Sequence, residues 1–427
     1  MAIIPKNLKE LKMHLNYPLF KNSYFILLTS GTGSVFGVIF MVIIARFYSP
    51  YNVGLASAIL SMSQLICAFS TLGLNYSVIR FFVRRDDRVE MVNSCFSLVG
   101  LSTMIFTIIV LMTLQYWSPA LVSLRENYFL LISFVVLTVL FAIFSLQSNV
   151  FIAARVMKLS FLQNLIFNLL RVPLPLFFVS FGVLGIVSSW TVATAIAFLV
   201  GGLWLIPKVL PEYRLAPKIN RRILIEIMPF SFGNYISGVL GSLPTMIMPL
   251  LIVNILDVEN AAYFLIAWSI TVIISAVPGA VTTSLFAEGS SNQEAEFRSN
   301  LIKSIKLIFF LLIPTILILF VFGDKILLLF GQTYSEKATR LLGLFMIGCI
   351  PFAINQIYLT IKRVQLDIKP MIYVNLFVAI LVISGSYLLM KTVGLIGIGI
   401  AWIFGQGVVA MFVGVYLIIR YKTITNE

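Results

Sequence analysis

Charged residues, histidine and cysteine are all scarce in this sequence. Of its 427 residues 11% are charged and 60% are hydrophobic, and the mean hydropathy is +1.04. A water-soluble chain of this length would have to expose large apolar areas, so this balance excludes a soluble globular protein. The one histidine, His14, stands in a polar N-terminal stretch, and Cys67, Cys95 and Cys349 have no paired spacing. We therefore predict neither a metal site nor a disulfide framework.

Acidic residues are missing from the middle of the long apolar runs. Those nearest to a run stand at its ends or between runs, at Glu226, Asp257, Glu259, Glu288 and Asp324. A proton-driven drug antiporter usually titrates a carboxylate inside the membrane, so we expect this chain to be poorly suited to that cycle. Nucleotide loops, HExxH motifs and paired carboxylates are also missing. We expect no enzymatic activity and no cofactor, and the coupling ion stays open.

What the sequence does contain is twelve apolar runs of about twenty residues or more, the length needed to cross a bilayer as a helix. In the first half they are residues 19–45, 53–79, 92–116, 128–153, 160–180 and 185–206. In the second half they are residues 227–253, 261–286, 301–322, 341–361, 370–389 and 395–419. The sequence therefore predicts an all-α integral membrane protein with about 12 transmembrane helices.

Lysine and arginine are divided unevenly between alternate segments. The two termini and every second connection hold 23 of the 30 basic residues, the opposite set holds six, and Arg171 falls inside a run. Because a basic excess marks cytosolic segments, we predict a multi-pass protein of the cell membrane with both termini cytosolic. The formal charge of +14 is explained by anionic membrane lipid, so no nucleic acid is expected. The N-terminal stretch lacks the features of a cleaved signal peptide.

The longest basic connection divides the chain into two six-helix halves. We predict an N-terminal lobe at residues 1–206, a cytosolic basic connector at 207–226 and a C-terminal lobe at 227–427. The segment RFYSPYNVGLASA after the first run is weakly echoed by NILDVENAAYFLIA after the seventh. Two related helical halves are a transporter plan in which the substrate site lies between the halves.

Polar side chains recur at helical spacing in three runs, although each costs free energy in hydrocarbon. The second run has Ser57, Ser61, Gln64, Thr71 and Asn75, the fifth has Ser160, Asn164, Asn168 and Arg171, and the seventh has Asn234, Ser237, Gly241 and Thr245. Such stripes are expected to line water or protein. We predict a substrate-binding set made of Arg171, Asn168, Asn164, Gln64, Asn75 and Asn234.

Arg171 is the most informative of these residues because it lies roughly 16 Å into its run at 1.5 Å per residue. One interpretation is that it faces a central cavity and binds an anionic group, since a guanidinium matches phosphate or carboxylate oxygens. The other is that it bonds the helix carbonyls of Leu169 and Arg171, which Pro173 and Pro175 leave without donors. Both interpretations stay open from the sequence.

Three stretches resemble the polysaccharide (O-antigen type) flippases of the multidrug/oligosaccharidyl-lipid/polysaccharide exporter superfamily. They are residues 45–82 (ARFYSPYNVGLASAILSMSQLICAFSTLGLNYSVIRFF), 327–348 (LLLFGQTYSEKATRLLGLFMIG) and 394–406 (GLIGIGIAWIFGQ). Tyr48 and Ser49 replace the usual Leu-Gly, and Pro244 and Thr245 stand where many members carry an acid.

The resemblance implies that the chain flips a polyprenyl-(pyro)phosphate-linked oligosaccharide from the cytosolic to the outer leaflet by alternating access. On that view Arg171 meets the phosphates, and Arg46 and Arg80 act in gating or in headgroup anchoring. The expected partners are the lipid-linked oligosaccharide and membrane lipids, and a polysaccharide polymerase or glycosyltransferases are compatible with this role. A cation-coupled multidrug antiporter and a non-transporting scaffold of a glycan-assembly complex remain as alternatives.

Overall fold

The computed structural model describes residues 18–289, 294–365 and 367–425, so His14 lies outside the described residues. Within these ranges the chain is helical and no strand is found. Twelve long helices, named α1 to α12 in chain order, match the twelve predicted runs. Their bounds are Pro18–Phe47, Pro50–Ser70, Arg88–Trp117, Tyr128–Ala153, Met157–Arg171, Val183–Val200, Arg221–Ile255, Val258–Gly289, Glu294–Leu328, Gln332–Val364, Ile368–Val393 and Ile396–Thr425. Each contains a segment long and apolar enough to cross a membrane, with the fifth and sixth segments continuing into short helical turns. The all-α class of membrane protein is confirmed.

The second predicted run is interrupted. Helix α2 ends at Ser70, and a short helix, Leu74–Phe81, follows a turn in which Leu72 and Gly73 have φ of 51° and 74°. The continuous helix predicted over residues 53–79 is therefore wrong. Gln64 and Asn75 belong to different helices.

The fifth run is broken where the prolines predict it. Helix α5 ends at Arg171, and a short helix, Leu174–Phe177, begins after Pro173. Pro173 and Pro175 have no N–H, so they cannot continue the α5 ladder. The break places the arginine at the end of α5.

The chain forms two compact units. The first contains residues 18–40, 66–117 and 122–235 of the described chain, and the second contains residues 41–65, 118–121 and the described residues from 236 onward. This division assigns the end of α1 and most of α2 to the second unit, whereas the sequence predicts one boundary at the connector. The two six-helix lobes stay a prediction.

Gly54 helps to explain why most of α2 belongs to the second unit. A Cβ atom at Gly54 would overlap the backbone carbonyl of Val258, so the backbones of α2 and α8 approach as closely as glycine allows. The two helices also begin alike, because Ser49 and Asp257 each accept a hydrogen bond from the backbone N–H three residues on, at 3.3 Å and 2.8 Å. These helix starts are the two segments that echo each other in the sequence.

The predicted connector is bound to the first unit rather than free. Asn93 of α3 donates to the carbonyl of Arg214 at 3.0 Å, and Ser94 Oγ accepts from the N–H of Asn220 at 2.9 Å. Arg85 pairs with Glu226, near the start of α7, with 2.8 Å between Nη1 and Oε2. The connector and the root of α7 therefore belong structurally to the first unit.

Candidate substrate-binding site

Arg171 lies in the interior of the first unit, where its residue is 8% exposed. Three aromatic rings surround its guanidinium. The guanidinium carbon lies 5.1 Å from the ring centre of Phe40 on α1, 5.0 Å from Phe167 on α5 and 4.8 Å from Trp190 on α6. These four residues are called the arginine box. Ring faces attract a cation, so the box holds the charge in place without an acid.

Local sequence spacing accounts for one ring of the arginine box. Phe167 precedes Arg171 by four residues and therefore lies on the same face of α5. Gly37 of α1 lies beside the guanidinium, and a Cβ there would make an ordinary contact with Nη2 at 3.9 Å. Phe40 and Phe167 meet the Trp190 ring edge-on, with centres 6.1 Å and 5.6 Å apart. The rings thus fix one another as well as the cation.

A chain of amides leads to the guanidinium. Arg171 Nη2 donates to Asn168 Oδ1 at 3.0 Å, and Asn168 Nδ2 donates to the carbonyl of Asn164 at 2.9 Å. Asn164 Nδ2 in turn donates to the carbonyl of Ser160 at 2.9 Å. The predicted α5 stripe is therefore one connected array, and substrate binding by these residues stays a prediction.

Two donors in the arginine box have no acceptor among the described residues. Arg171 Nε and Trp190 Nε1 are both buried and without a hydrogen-bond partner. Within the same part of the chain, no salt bridge joins Arg171 to an acidic residue. A buried cation with unused N–H groups is unfavourable unless an acceptor, above all an anion, is supplied. The box has the chemistry of an anion site.

The remaining predicted binding residues lie outside this array. Gln64 is half-buried on α2, in the second unit. Asn75 is half-buried in the first unit, and its Oδ1 is buried without a hydrogen-bond partner among the described atoms. Asn234 lies in α7, at a position whose side chain is outside the described part of the structure.

The two arginines predicted to act in gating or headgroup anchoring are both exposed. Arg46 donates from Nε to the carbonyl of Leu329 at 2.8 Å and from Nη2 to that of Leu328 at 2.5 Å. It therefore caps the end of α9, where unpaired carbonyls favour a cation. Arg80 stands in the last turn of the helix Leu74–Phe81. Gating and headgroup roles stay predictions for both.

A second buried polar group was missed at the sequence level. Gln147 and Gln163 are fully buried, and Gln163 Nε2 donates to Gln147 Oε1 at 2.6 Å. Gln147 Nε2 donates to the carbonyl of Phe198 at 3.2 Å, just before the π-turn Gly201–Leu205 that ends α6. Gln163 lies between Ser160 and Asn164, off the stripe that was selected by spacing. Only packing of α4 against α5 and α6 reveals the pair.

Comparisons with known proteins agree with this architecture. Residues 19–286 match the family described as polysaccharide biosynthesis protein, and residues 246–388 match the MatE family. No curated protein matches the sequence significantly.

Solved structures with the same fold are transporters and flippases. The lipid II flippase MurJ, in an inward closed conformation, has a TM-score of 0.76 at 13% identity, covering 92% of this chain and 87% of that one. An inward-facing multidrug resistance MATE transporter has a TM-score of 0.69 at 14% identity, covering 92% and 96%. A MOP superfamily transporter from Pyrococcus furiosus, described as having a binding pocket of reversed polarity, has a TM-score of 0.63 at 15% identity, covering 99% and 100%.

The protein is thus a multi-pass helical membrane protein with the fold of the multidrug/oligosaccharidyl-lipid/polysaccharide exporter superfamily. Because the matched region covers well over half of its length, the chain belongs to the polysaccharide biosynthesis protein family.

Proposed function

We propose that this protein is a flippase for polyprenyl-(pyro)phosphate-linked oligosaccharides and serves surface polysaccharide or glycan assembly. It turns the cargo from the cytosolic to the outer leaflet of the cell membrane by alternating access, with both termini in the cytosol. The observation that carries the proposal is the arginine box, a buried cation with an unused N–H and no acidic partner among the described residues. Membership of the polysaccharide biosynthesis family supports the same reading.

The chemistry of the box favours a phosphate-bearing cargo. A phosphate brings the negative charge that the guanidinium lacks and several acceptor oxygens for Arg171 Nε and Trp190 Nε1. Asn164 and Asn168 continue the polar surface along α5 and can bond sugar hydroxyls. A cationic drug would find a like charge at this position and would be held poorly.

Two alternatives make different predictions. A cation-coupled multidrug antiporter has support from the fold shared with MATE transporters, yet the acidic residues of the described long helices all lie near a helix end and none near a helix middle. It predicts raised drug sensitivity when the gene is deleted. A scaffold for a polymerase or glycosyltransferases predicts that changes in the box are silent and changes in the loops are damaging. Neighbouring glycosyltransferase genes would argue against drug export.

Reconstitution in vesicles with labelled lipid-linked oligosaccharide tests the proposal by measuring exposure in the opposite leaflet over time. We expect Arg171→Gln to reduce flipping by about tenfold to a hundredfold, the loss that follows removal of a charged hydrogen bond. Arg171→Ala should have the same effect. Arg125→Gln is the matched control, because Arg125 is exposed in the short helix Ser123–Glu126.

The outcome is informative only for variants that enter the membrane at the level of the unchanged protein. Flipping at the normal rate by both Arg171 variants would remove the assignment. Equal loss in the Arg125 control would indicate that the effect is not specific to the box.

A further inference from the structure

The second half of α4 carries polar side chains that neither the sequence analysis nor the proposed function uses. Residues 145–149 read SLQSN, so Ser148 and Asn149 follow Ser145 by three and four residues. Residues at these spacings lie on one face of a helix. Gln147 lies off that face, in the buried pair with Gln163. Helix α4 therefore has a polar stripe of its own in the first unit.

The α4 stripe is accessible although it lies inside a span. Ser145 is exposed, and Ser148 and Asn149 are half-buried. Ser145 precedes Ala153, the last residue of α4, by eight residues. That separation places it roughly 12 Å from the end of the helix at 1.5 Å per residue. Accessible polar side chains at such depth are unfavourable against hydrocarbon, so the stripe faces water rather than lipid.

Hydrogen bonds join the α4 stripe to the amide array of α5. Asn164 Nδ2 donates to Ser148 Oγ at 3.4 Å, and Ser148 Oγ donates to Gln163 Oε1 at 3.3 Å. Both contacts are longer than an ordinary hydrogen bond, so a ligand that offers a better donor or acceptor can replace them. Asn164 is itself half-buried. The two stripes thus form one accessible polar surface.

This surface ends at the arginine box. Phe141, one turn before Ser145, packs on Trp190 with ring centres 6.2 Å apart. Phe144 packs on Phe167 with ring centres 5.5 Å apart. Two rings of the box therefore rest on the turn of α4 that precedes the polar stripe. A ligand whose phosphate reaches the box would place its next chemical unit against this surface.

The unused hydrogen-bonding groups of the surface indicate the class of its ligand. Asn149 Oδ1 and Asn164 Oδ1 accept no hydrogen bond from the described residues. The surface consists of neutral hydroxyls and amides, so a phosphate would find no cation on it. A polyprenyl chain would leave these groups without partners. A neutral sugar unit suits them, because each of its hydroxyls both donates and accepts.

We propose that Ser145, Ser148, Asn149 and Asn164 form a sugar-binding face that holds the sugar unit next to the phosphate of the cargo. The proposal rests on the proposed function and extends it to α4. These side chains are exposed or half-buried, so a sugar reaches them without rearrangement of the core. In the proposed orientation the end of α4 is cytosolic, which puts the sugar-binding face on the side where the cargo is loaded.

The test is native mass spectrometry of the full chain in lipid nanodiscs with two kinds of probe. One is farnesyl pyrophosphate, and the other is farnesyl pyrophosphate carrying one neutral hexose or N-acetylhexosamine. We expect Ser145→Ala combined with Asn149→Ala to weaken binding of a sugar-bearing probe about threefold to tenfold, the effect of losing one or two neutral hydrogen bonds. Binding of farnesyl pyrophosphate should not change. Ser384→Ala is the control, because Ser384 is an exposed serine within α11, and it should alter neither affinity.

Each result decides for or against the sugar-binding face. The proposal is overturned if the unchanged protein binds no sugar-bearing probe, or if the double variant binds every such probe as tightly as the unchanged protein does. An equal loss for farnesyl pyrophosphate also overturns it, since the two side chains would then serve phosphate binding or folding. Failure of the proposed function gives a different result, because Arg171→Gln would then leave the binding of both kinds of probe intact.

Discussion

At the scale of single residues, the energetics of Arg171 decide what the site can be. Each ring face is worth about 2 kcal/mol to a desolvated cation. Removing a cation from water costs several kcal/mol even after the protein relaxes. Three rings and one amide therefore offset much of that cost but leave Nε without an acceptor in the described part of the chain. The rest of the desolvation cost can be offset by a ligand that supplies negative charge and hydrogen-bond acceptors. For this reason the arginine box favours an anionic ligand.

The sequence predicted part of this site. Arg171, Asn168 and Asn164 were found from their spacing on one helix, and the structure joins them by hydrogen bonds. The aromatic residues of the box were missed, because Phe40 and Trp190 stand in α1 and α6 among many other apolar residues. Nothing in an apolar run distinguishes a ring that packs on a cation from one that faces lipid.

Gly54 provides a prediction at the residue scale. Gly54→Ala should lower stability by about 1–3 kcal/mol or more, the cost of overpacking, because its Cβ would overlap the backbone of Val258 and the helices would have to separate. Gly33→Ala is the control, since nothing lies within 4 Å of a Cβ there and the change should be neutral or slightly stabilising. Thermal unfolding in detergent, followed by size-exclusion chromatography, measures both. Equal melting temperatures for the two variants would contradict the close contact of α2 with α8.

At the scale of helices, the length of the apolar runs predicted all twelve spans. Of the breaks inside those runs, the sequence predicted some and missed others. The end of α5 follows from Pro173 and Pro175, which prevent the ladder from continuing whatever packs around them. The end of α2 does not follow from sequence in the same way, since Leu72 takes positive φ although leucine does so rarely. The π-turn Gly201–Leu205 was likewise not predicted; it begins at Gly201, where a Cβ would overlap the amides of Gln147 and Gln163 on the neighbouring helices.

The buried glutamine pair that packs α4, α5 and α6 together gives a prediction at this scale. Gln163→Leu should destabilise the protein by about 1–3 kcal/mol, because Gln147 Oε1 loses its donor in a buried place. Replacing both glutamines by leucine should restore part of that loss, since no amide of the pair is then left unpaired. Gly201, which borders both amides, stays unchanged throughout. A double variant whose loss equals the sum of the single losses would show that the amides act independently.

At the scale of the whole molecule, the distribution of basic residues predicts the orientation in the membrane. Cysteine labelling can test that orientation. The natural cysteines Cys67, Cys95 and Cys349 are buried, so they should react little. Lys218→Cys places a thiol at an exposed position of the predicted cytosolic connector, and Thr392→Cys places one at an exposed position before α12. An impermeant maleimide on intact cells should label Thr392→Cys strongly and Lys218→Cys only after permeabilisation.

The labelling pattern tests two things: whether an odd number of helices crosses the membrane between the two labelled positions, and in which direction the protein is inserted. An odd number of helices separates the two positions, namely α7 to α11, so they must lie on opposite sides if each helix crosses once. Labelling of Lys218→Cys alone on intact cells would reverse the orientation, because the basic segments would then be extracellular, against their preference for the cytosolic side. Labelling of both would mean that one helix between them does not span. Only the expected pattern keeps the basic connector on the side where a lipid-linked cargo would be loaded.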